Sequence, residues 1–342
     1  MTILSLEQRL QALSGLGRYL QSGTGELPLV IEKACLQNPW FIPENQWHAL
    51  DAISSCFLAP TALRDWVARY GNPEPATPQK VGLVMAGNLP LVGFHDFLSV
   101  FAAGHRAQIK LSEKDAVLLP HLMEKLAALE PGVADYVEIV ERLSGFDAVI
   151  ATGSNNSARY FEAYFSRFPH IIRKNRNGVA VLNGRETPKD LLELGKDIFM
   201  YFGLGCRNVS KVYVPEGYDF SPFLETLHEG YKEIILHAKY KHNFDFNHAL
   251  YLLNKVPFRM NGCLLLSESD AIPSRIAGLH FSTYLDQKAV EAELRLRSEE
   301  IQCVVASPGW LHYPSIPFGT SQAPGLADYP DGVDTMAFLT SL

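Results

Sequence analysis

The stretch V-G-L-V-M-A-G-N-L-P-L, Val81 to Leu91, decides how this chain is read. A short apolar run, Val81–Met85, ends in small residues and an asparagine, and a helical pattern follows from Leu91 to Ala103. Strand, tight loop and helix in that order open a βαβ unit. The pattern continues. Arg106–Lys110 predicts a strand and Ala116–Leu129 a helix. Tyr136–Val140 and Ala148–Thr152 predict strands, Ser157–Phe168 a helix and Val179–Leu182 one more strand. Strands alternating with helices imply right-handed crossovers and a parallel sheet. Such sheets bind ligands beyond the carboxyl ends of their strands.

On the N-terminal side of this stretch the chain reads as helical. Leu6, Leu10, Leu13 and Leu20 recur at helical spacing, as do Trp47, Leu50, Ile53 and Phe57. Gly71 to Pro78 is proline-rich and reads as a linker. On the C-terminal side a second unit begins near Thr187. A helix, Lys189–Phe202, leads through a glycine-rich turn into a strand, Val209–Val214. More helix follows between Phe220 and Leu253. Cys263–Ser267, Ile276–Thr283 and Gln302–Ala306 predict strands, and Pro314 to Leu342 is poorly periodic.

Composition narrows the function. The 342 residues are enough for two domains, and 47% hydrophobic with 20% charged residues is ordinary for a globular protein. The net charge is −7 and no basic block stands out, which argues against nucleic acid as a partner. Met1 to Ser22 carries Glu7, Arg9 and Arg18 among its apolar residues, so it reads as an amphipathic helix rather than a signal peptide. No apolar run reaches the length of a membrane span, and the expected location is the cytoplasm. Five cysteines, Cys35, Cys56, Cys206, Cys263 and Cys303, include no C-x-x-C pair, which speaks against a disulfide framework or a zinc site. His237, His242 and His248 lie close in sequence without a carboxylate to complete an H-E-x-x-H arrangement, so no metal is expected.

Four constellations can carry chemistry, each with a plainer structural reading beside it. Cys206 sits in F-G-L-G-C-R-N-V-S-K-V-Y-V, Phe202 to Val214, after two glycines and before an arginine. Glycines let the backbone turn sharply and a nearby cation favours the nucleophilic thiolate; the plainer reading is a tight turn with an inert thiol. Asn88, after Ala86 and Gly87, stands between strand and helix. It is suited either to donate to an oxyanion or to cap the helix. A-T-G-S-N-N-S, Ala151 to Ser157, is suited to hold a pyrophosphate on backbone N–H groups or simply to cap. I-K-L-S-E-K, Ile109 to Lys114, offers Lys110, Ser112 and Glu113 to a ribose or phosphate, or is an exposed polar loop. His95-Asp96 either orients a neighbour or satisfies the interior.

Taken in order, these segments resemble the aldehyde dehydrogenase superfamily over roughly Lys80 to the C-terminus. K-V-G-L-V-M-A-G-N-L-P resembles the strand and loop ending in the family's oxyanion-binding asparagine, here Asn88. A-A-G-H-R-A-Q-I-K-L-S-E resembles A-x-G-N-x-x-x-x-K-P-S-E, which implies Lys110, Ser112 and Glu113 at the adenosine ribose. A-T-G-S resembles F-T-G-S at the cofactor pyrophosphate, implying Thr152, Gly153 and Ser154, with Ala86 and Gly87 beside them. G-L-G-C-R-N-V-S-K-V-Y-V resembles the nucleophile segment Q-x-C-x-x-x-x-R-x-x-V, with Lys211 in place of arginine. P-F-G-T-S-Q-A-P-G-L-A-D-Y-P-D-G-V-D-T-M-A-F-L, Pro317 to Leu339, resembles the C-terminal P-F-G-G-x-K-x-S-G segment, which adds Phe318 to the cofactor residues. A-G-N-L-P and the weakened nucleophile motif point to the LuxC-like acyl-CoA reductase branch.

The resemblance implies an α/β fold with a Rossmann-type parallel-sheet cofactor domain, a second α/β catalytic domain and a helical N-terminal region. The expected division is 1–75 packing on the cofactor domain, 76–185 binding NADP(H), 186–313 carrying Cys206, and 314–342 returning to the active site or cofactor domain. The implied reaction is NADPH-dependent reduction of a long-chain acyl-CoA to the aldehyde through a Cys206 thioester, with Cys206 and Asn88 catalytic. Two departures shape this. The family's L-E-L-G-G glutamate, which activates water, has no counterpart in I-I-R-K-N-R-N-G-V-A, Ile171 to Ala180, and an acyl-CoA reductase does not need it. The E-I-F-G-P motif is also absent, and D-A-I-P, Asp270 to Pro273, is the stretch nearest its place. Lys110, Ser112 and Lys114 favour NADP(H), while Glu113 favours NAD(H). An acyl-phosphate or acyl-carrier-protein reductase with the same cysteine, or a catalytically silent nucleotide-binding scaffold, are the alternatives. An acyl-delivering ligase or transferase and an oligomeric state are compatible with any of them.

Overall fold

The computed structural model describes residues 3–342. The chain divides into two compact units. One comprises residues 1–175 with 324–342, and the other residues 176–323.

The first unit opens with four helices, α1 (Leu6–Ser22), α2 (Leu27–Gln37), α3 (Pro43–Ala52) and α4 (Pro60–Ala68), with one π-helical turn, Ile53–Phe57, before α4. Local chemistry sets their ends. Ser5 and Gln8 form a reciprocal capping box at the start of α1, and Gly23, at φ +60°, closes it. Helices α2, α3 and α4 each carry proline in the first turn, where its missing N–H costs nothing. There follow β1 (Lys80–Val84), α5 (Phe94–Ala102), β2 (Arg106–Lys110), α6 (Leu118–Leu129), β3 (Val137–Ile139), β4 (Ala148–Thr152), α7 (Asn155–Phe165) and β5 (His170–Arg173). The strands form one parallel sheet in the order β3-β2-β1-β4-β5. Leu10, Leu13 and Leu16 of α1 join Phe97 and Phe101 of α5 and Leu122 and Leu126 of α6 in one core on this sheet. A smaller cluster of Phe146, Val149 and Phe165 is built around β4 and α7.

The linker is tied down rather than loose. Buried Arg9 donates to Leu4 O at 2.7 Å and to Pro73 O at 2.7 Å. The C-terminal segment rejoins this unit in the same manner. His105 Nε2 pairs with Leu339 O at 2.9 Å, and Trp66 Nε1 donates to the Tyr329 hydroxyl at 2.7 Å. Arg173, buried, binds Asp96 Oδ1 at 2.7 Å, Pro330 O at 2.7 Å and Thr335 Oγ1 at 2.9 Å.

The second unit contains β6 (Asn177–Val181), α8 (Pro188–Phe199), β7 (Val209–Pro215), α9 (Phe220–Tyr231), α10 (Ala238–Leu253), β8 (Arg259–Met260), β9 (Leu265–Glu268), β10 (Gly278–Tyr284), α11 (Gln287–Leu296) and β11 (Ile301–Ala306). Its sheet runs β11-β6-β7-β10-β9-β8, parallel except for the antiparallel β8–β9 edge. A last helix, α12 (Thr335–Thr340), belongs to the first unit.

Three expectations need correction. The strand expected at Val179–Leu182 as part of a 76–185 cofactor domain is β6, and it pairs in the second sheet; the passage between units falls at 175/176 instead. Only Lys174–Arg176 separates β5 from β6, with no glycine or proline to mark a boundary. The segment 314–342 is divided, 314–323 staying with the second unit and 324–342 joining the first. Strand β5 and helices α11 and α12 lie in stretches where no element was expected.

The buried Asp96–Arg173 pair gives a direct test. Asp96→Ala leaves the Arg173 guanidinium buried beside two neutral acceptors, and the expected loss is about 3–5 kcal/mol in urea unfolding. Replacing both residues by apolar ones of similar volume should cost less than Asp96→Ala alone.

Candidate active site

The first unit brings one group of predicted residues together. In the order β3-β2-β1-β4-β5 the chain leaves β1 toward β2 on one side and later returns to β4 on the other. The carboxyl ends of β1 and β4 therefore flank a topological switch point, the usual ligand crevice of an open α/β sheet. Ala86, Gly87 and Asn88 follow β1, Lys110 ends β2 with Ser112 and Glu113 after it, and Thr152 ends β4 with Gly153 and Ser154 leading into α7.

The loops after β1 and β2 are locked together. A Cβ on Gly87 would lie 2.4 Å from Ser112 Oγ and 2.6 Å from Ser112 Cβ, so only glycine fits there. Leu91, at φ +57°, donates its N–H to Asp115 Oδ2 at 2.8 Å. Asp115 is buried, and its other oxygen has no hydrogen-bond partner among the described residues. Burial pushes this carboxyl up to about 7, and the bond from Leu91 offsets only part of that. The second loop is also held from α2, by Gln37 Nε2 to Glu113 O at 2.8 Å and Asn38 Nδ2 to Lys114 O at 3.1 Å.

Asn88 is exposed, and the N-cap position of α5 is Gly93, so Asn88 does not cap that helix. Ser154 does cap α7, accepting from Ser157 N at 3.2 Å. A Cβ on Gly153 would meet Phe161 and Ser157 at 2.9 Å, so this turn also requires glycine. The N-terminus of α7 with a glycine turn, and exposed Lys110, Glu113 and Lys114 around half-buried Ser112, suit the phosphates and ribose of a nucleotide.

In the second unit the chain ahead of Cys206 is strained. Tyr201 (φ +53°), Phe202 (φ +59°) and Gly203 (φ +74°) are left-handed in succession, and the first two are buried aromatic residues. Such a conformation costs about 1–3 kcal/mol per non-glycine residue and persists only where its surroundings enforce it. Asn208 supplies part of that enforcement. Its Oδ1 accepts Gly205 N–H at 2.8 Å, and its Nδ2 donates to Asp197 O at 3.0 Å and Met200 O at 2.8 Å. Strand β6 closes tightly on the turn. A Cβ on Gly178 would lie 2.6 Å from Arg207 O, and the β6–β7 register shifts just there.

Cys206 and Arg207 are half-buried in this turn. By contrast Cys263 is fully buried and burial pushes its thiol up to about 11. Phe318, also buried, precedes a turn whose Gly319 and Ser321 N–H groups bind the Asp197 carboxylate at 2.6 and 3.0 Å. Lys211 does not stand free as a surface cation. It is buried in β7, donates to Ser269 O at 2.6 Å, and burial, with Arg297 adding to it, lowers its ammonium to about 8. Ser210 Oγ on Ile272 O and His280 Nδ1 on Ala271 O pin the same D-A-I-P turn.

Asp115, Asp197, Asn208 and Asn38 were not among the predicted residues. Only Asn208, a polar residue inside the glycine-rich turn, carried a local signal. His95 and Asp96 prove to be interior groups, His95 among Phe57, Trp66 and Tyr329 with its Nε2 on Leu326 O at 2.9 Å. His237 caps α10 and His248 packs on Phe258. Among the described residues no group of three or more potential metal ligands occurs, and no helix is long and apolar enough to cross a membrane.

No protein-family profile and no curated protein matches this sequence. Solved structures do match the fold. An aldehyde dehydrogenase from Mycobacterium tuberculosis complexed with NAD+ is 12% identical, with TM-score 0.65 over 90% of this chain and 74% of its own. An indole-3-acetaldehyde dehydrogenase from P. syringae, in complex with NAD+ and IAA, is 13% identical, with TM-score 0.64 over 94% and 75%. A 1-pyrroline-5-carboxylate dehydrogenase from Thermus thermophilus is 14% identical, with TM-score 0.63 over 98% and 80%. The chain therefore has the aldehyde dehydrogenase fold, with one parallel sheet, one mixed sheet and their flanking helices.

Asp115 makes stability depend on pH. The folded state keeps a proton that an unfolded aspartate releases near pH 4, so this contribution is complete below about pH 4 and is lost as pH rises to about 7. At about 1.4 kcal/mol per unit, wild type should lose about 3 kcal/mol relative to Asp115→Asn between about pH 5 and pH 8. Urea unfolding of both proteins at the two pH values measures this, and a pH-independent difference would contradict it.

Proposed function

We propose that this chain is an oxidoreductase that reduces a long-chain acyl-CoA to its aldehyde through a thioester on Cys206, with NADP(H) as cofactor. The observation that carries the reading is the braced, strained turn that presents a half-buried cysteine beside Arg207. Strain of this kind collects at functional sites, and a neighbouring cation favours the thiolate. The aldehyde dehydrogenase fold, shared with structures described as holding NAD+, supports aldehyde chemistry with a nicotinamide cofactor. Exposed Lys110 and Lys114 favour the extra phosphate of NADP(H), and Glu113 favours NAD(H).

In this reading the Cys206 thiolate attacks the acyl-CoA carbonyl carbon. The bond from that carbon to the CoA sulfur breaks, CoA leaves as its thiolate, and the acyl group remains on Cys206. The Asn88 amide and the Cys206 N–H are the donors for the oxyanion, each contributing about 3–4 kcal/mol. Ala86, Gly87, Lys110, Ser112, Glu113, Thr152, Gly153, Ser154 and Phe318 would hold the cofactor. The hydride that reduces the Cys206 thioester would come from NADPH when it is bound. The resulting thiohemiacetal anion on Cys206 collapses, its carbon–sulfur bond breaks, and aldehyde leaves as the Cys206 thiolate is restored. Ile171 to Ala180 contains no carboxylate that would activate water, which supports reductive rather than hydrolytic release. Five free cysteines suit a reducing compartment such as the cytoplasm.

Mixing the protein with long-chain acyl-CoA, without cofactor, and reading intact mass tests this. The expected result is a mass gain equal to the acyl group, absent in Cys206→Ala and formed about 10²–10³-fold more slowly in Asn88→Ala. An adduct from acyl phosphate or acyl-carrier protein but not from acyl-CoA would reassign the donor. No adduct from any of the three, with the protein folded, would sink the thioester.

A further inference from the structure

The Asn208 side chain is placed to do more than fill space. An amide offers one acceptor and two donors in a plane, and Asn208 uses both kinds on the turn before Cys206. It receives Gly205 N–H and gives hydrogen bonds to the carbonyls of Asp197 and Met200, which end α8. Those carbonyls, with Ile198 O at 3.5 Å, lie where the chain leaves the helix into the left-handed run Tyr201–Gly203. Asp197 extends the chain of bonds. Its carboxylate, fully buried, takes the N–H groups of Gly319 and Ser321. Gly319, at φ +81°, sits so close that a Cβ would lie 2.3 Å from Glu193 Oε2. Asp197 thus joins two sets of hydrogen bonds, its backbone carbonyl taking Asn208, which holds Gly205 next to Cys206, and its carboxylate taking the turn that follows Phe318.

We propose that Asn208 and Asp197 are positioning residues that hold the Cys206 turn and the Phe318–Ser321 turn in one fixed relation. This rests on Cys206 being the reacting thiol of the proposed reductase. Asn208 sets the direction of the backbone at Gly205–Cys206, and Asp197 ties that segment to the one carrying Phe318. Neither touches substrate in this role. Asparagine is required at 208 because aspartate has no donor for the two carbonyls. Aspartate is required at 197 because both partners are N–H donors, whereas asparagine would turn its own N–H₂ toward one of them.

The test is the pH dependence of Cys206 alkylation by iodoacetamide, read by peptide mass so that the other four cysteines are separated. Wild type, Asn208→Ala, Asn208→Asp and Asp197→Asn are compared, each checked for folding by its melting transition. In wild type the midpoint should lie below about 8.5, the value of a free cysteine. In the Asn208 variants it should move toward that value by about half a unit or more. Asp197→Asn, which keeps the volume and removes one acceptor, should move it in the same direction and serves if the Asn208 variants do not fold. Acyl transfer from acyl-CoA to Cys206 should slow about tenfold or more in the same variants. A wild-type midpoint already at the free-thiol value would overturn the proposal, and so would unchanged midpoints in every folded variant. If wild type forms no acyl adduct, the reductase reading fails, and the alkylation profiles still decide whether these residues position Cys206.

Discussion

The second unit depends on how one helix is allowed to end. Helix α8 stops at Phe199, and the chain must reverse into β7 within a few residues. It does so through two consecutive left-handed aromatic residues, a conformation that local preference opposes. Burial of Tyr201 and Phe202, the stacking of Phe202 on His237 at 4.2 Å, and the Asn208 amide together hold it. Glycine at 178 then lets β6 approach the carbonyl of Arg207 more closely than any side chain would permit. The cysteine is therefore displayed by a turn that several separate contacts hold together.

The first unit obeys a different constraint, that of a parallel sheet whose strand ends must be covered by loops. Two of these loops carry most of the candidate cofactor residues, and they are not independent. Gly87 against Ser112 and Leu91 on Asp115 make them one body, which α2 grips from outside through Gln37 and Asn38. The helical N-terminus thus has a role at the strand ends as well as in the core. A carboxyl buried at Asp115 with a pKa near neutrality is a costly way to fasten a loop, which fits a position where geometry matters more than stability.

Buried polar groups also explain how the C-terminal segment is retained. Residues 324–342 contain one short helix and little periodic structure, yet Arg173, His105, His95, Trp66 and Tyr70 all bind their backbone or side chains. These bonds satisfy groups that could not be left unpaired in the interior. A segment that reads as irregular is consequently held by the rest of its unit rather than by its own pattern.

The amino-acid sequence by itself determined the alternation of strands and helices from Val81 onward, because apolar periodicity is a local property that packing rarely overrides over several elements. It also determined the candidates at the strand ends, Asn88, Lys110, Ser112, Gly153 and Cys206, because glycine and small polar residues mark where the backbone must turn. The tertiary structure alone decided that β6 belongs to the second sheet, since a strand's partners lie far away in sequence and Lys174–Arg176 carries no mark of a boundary. It alone revealed Asp115, Asp197 and Asn38 as supports of the two candidate regions, since a buried acid or amide looks in sequence like any other polar residue on a helix or loop. It showed that Asn88 does not cap α5, because that helix begins six residues later, at Phe94, with Gly93 at its N-cap.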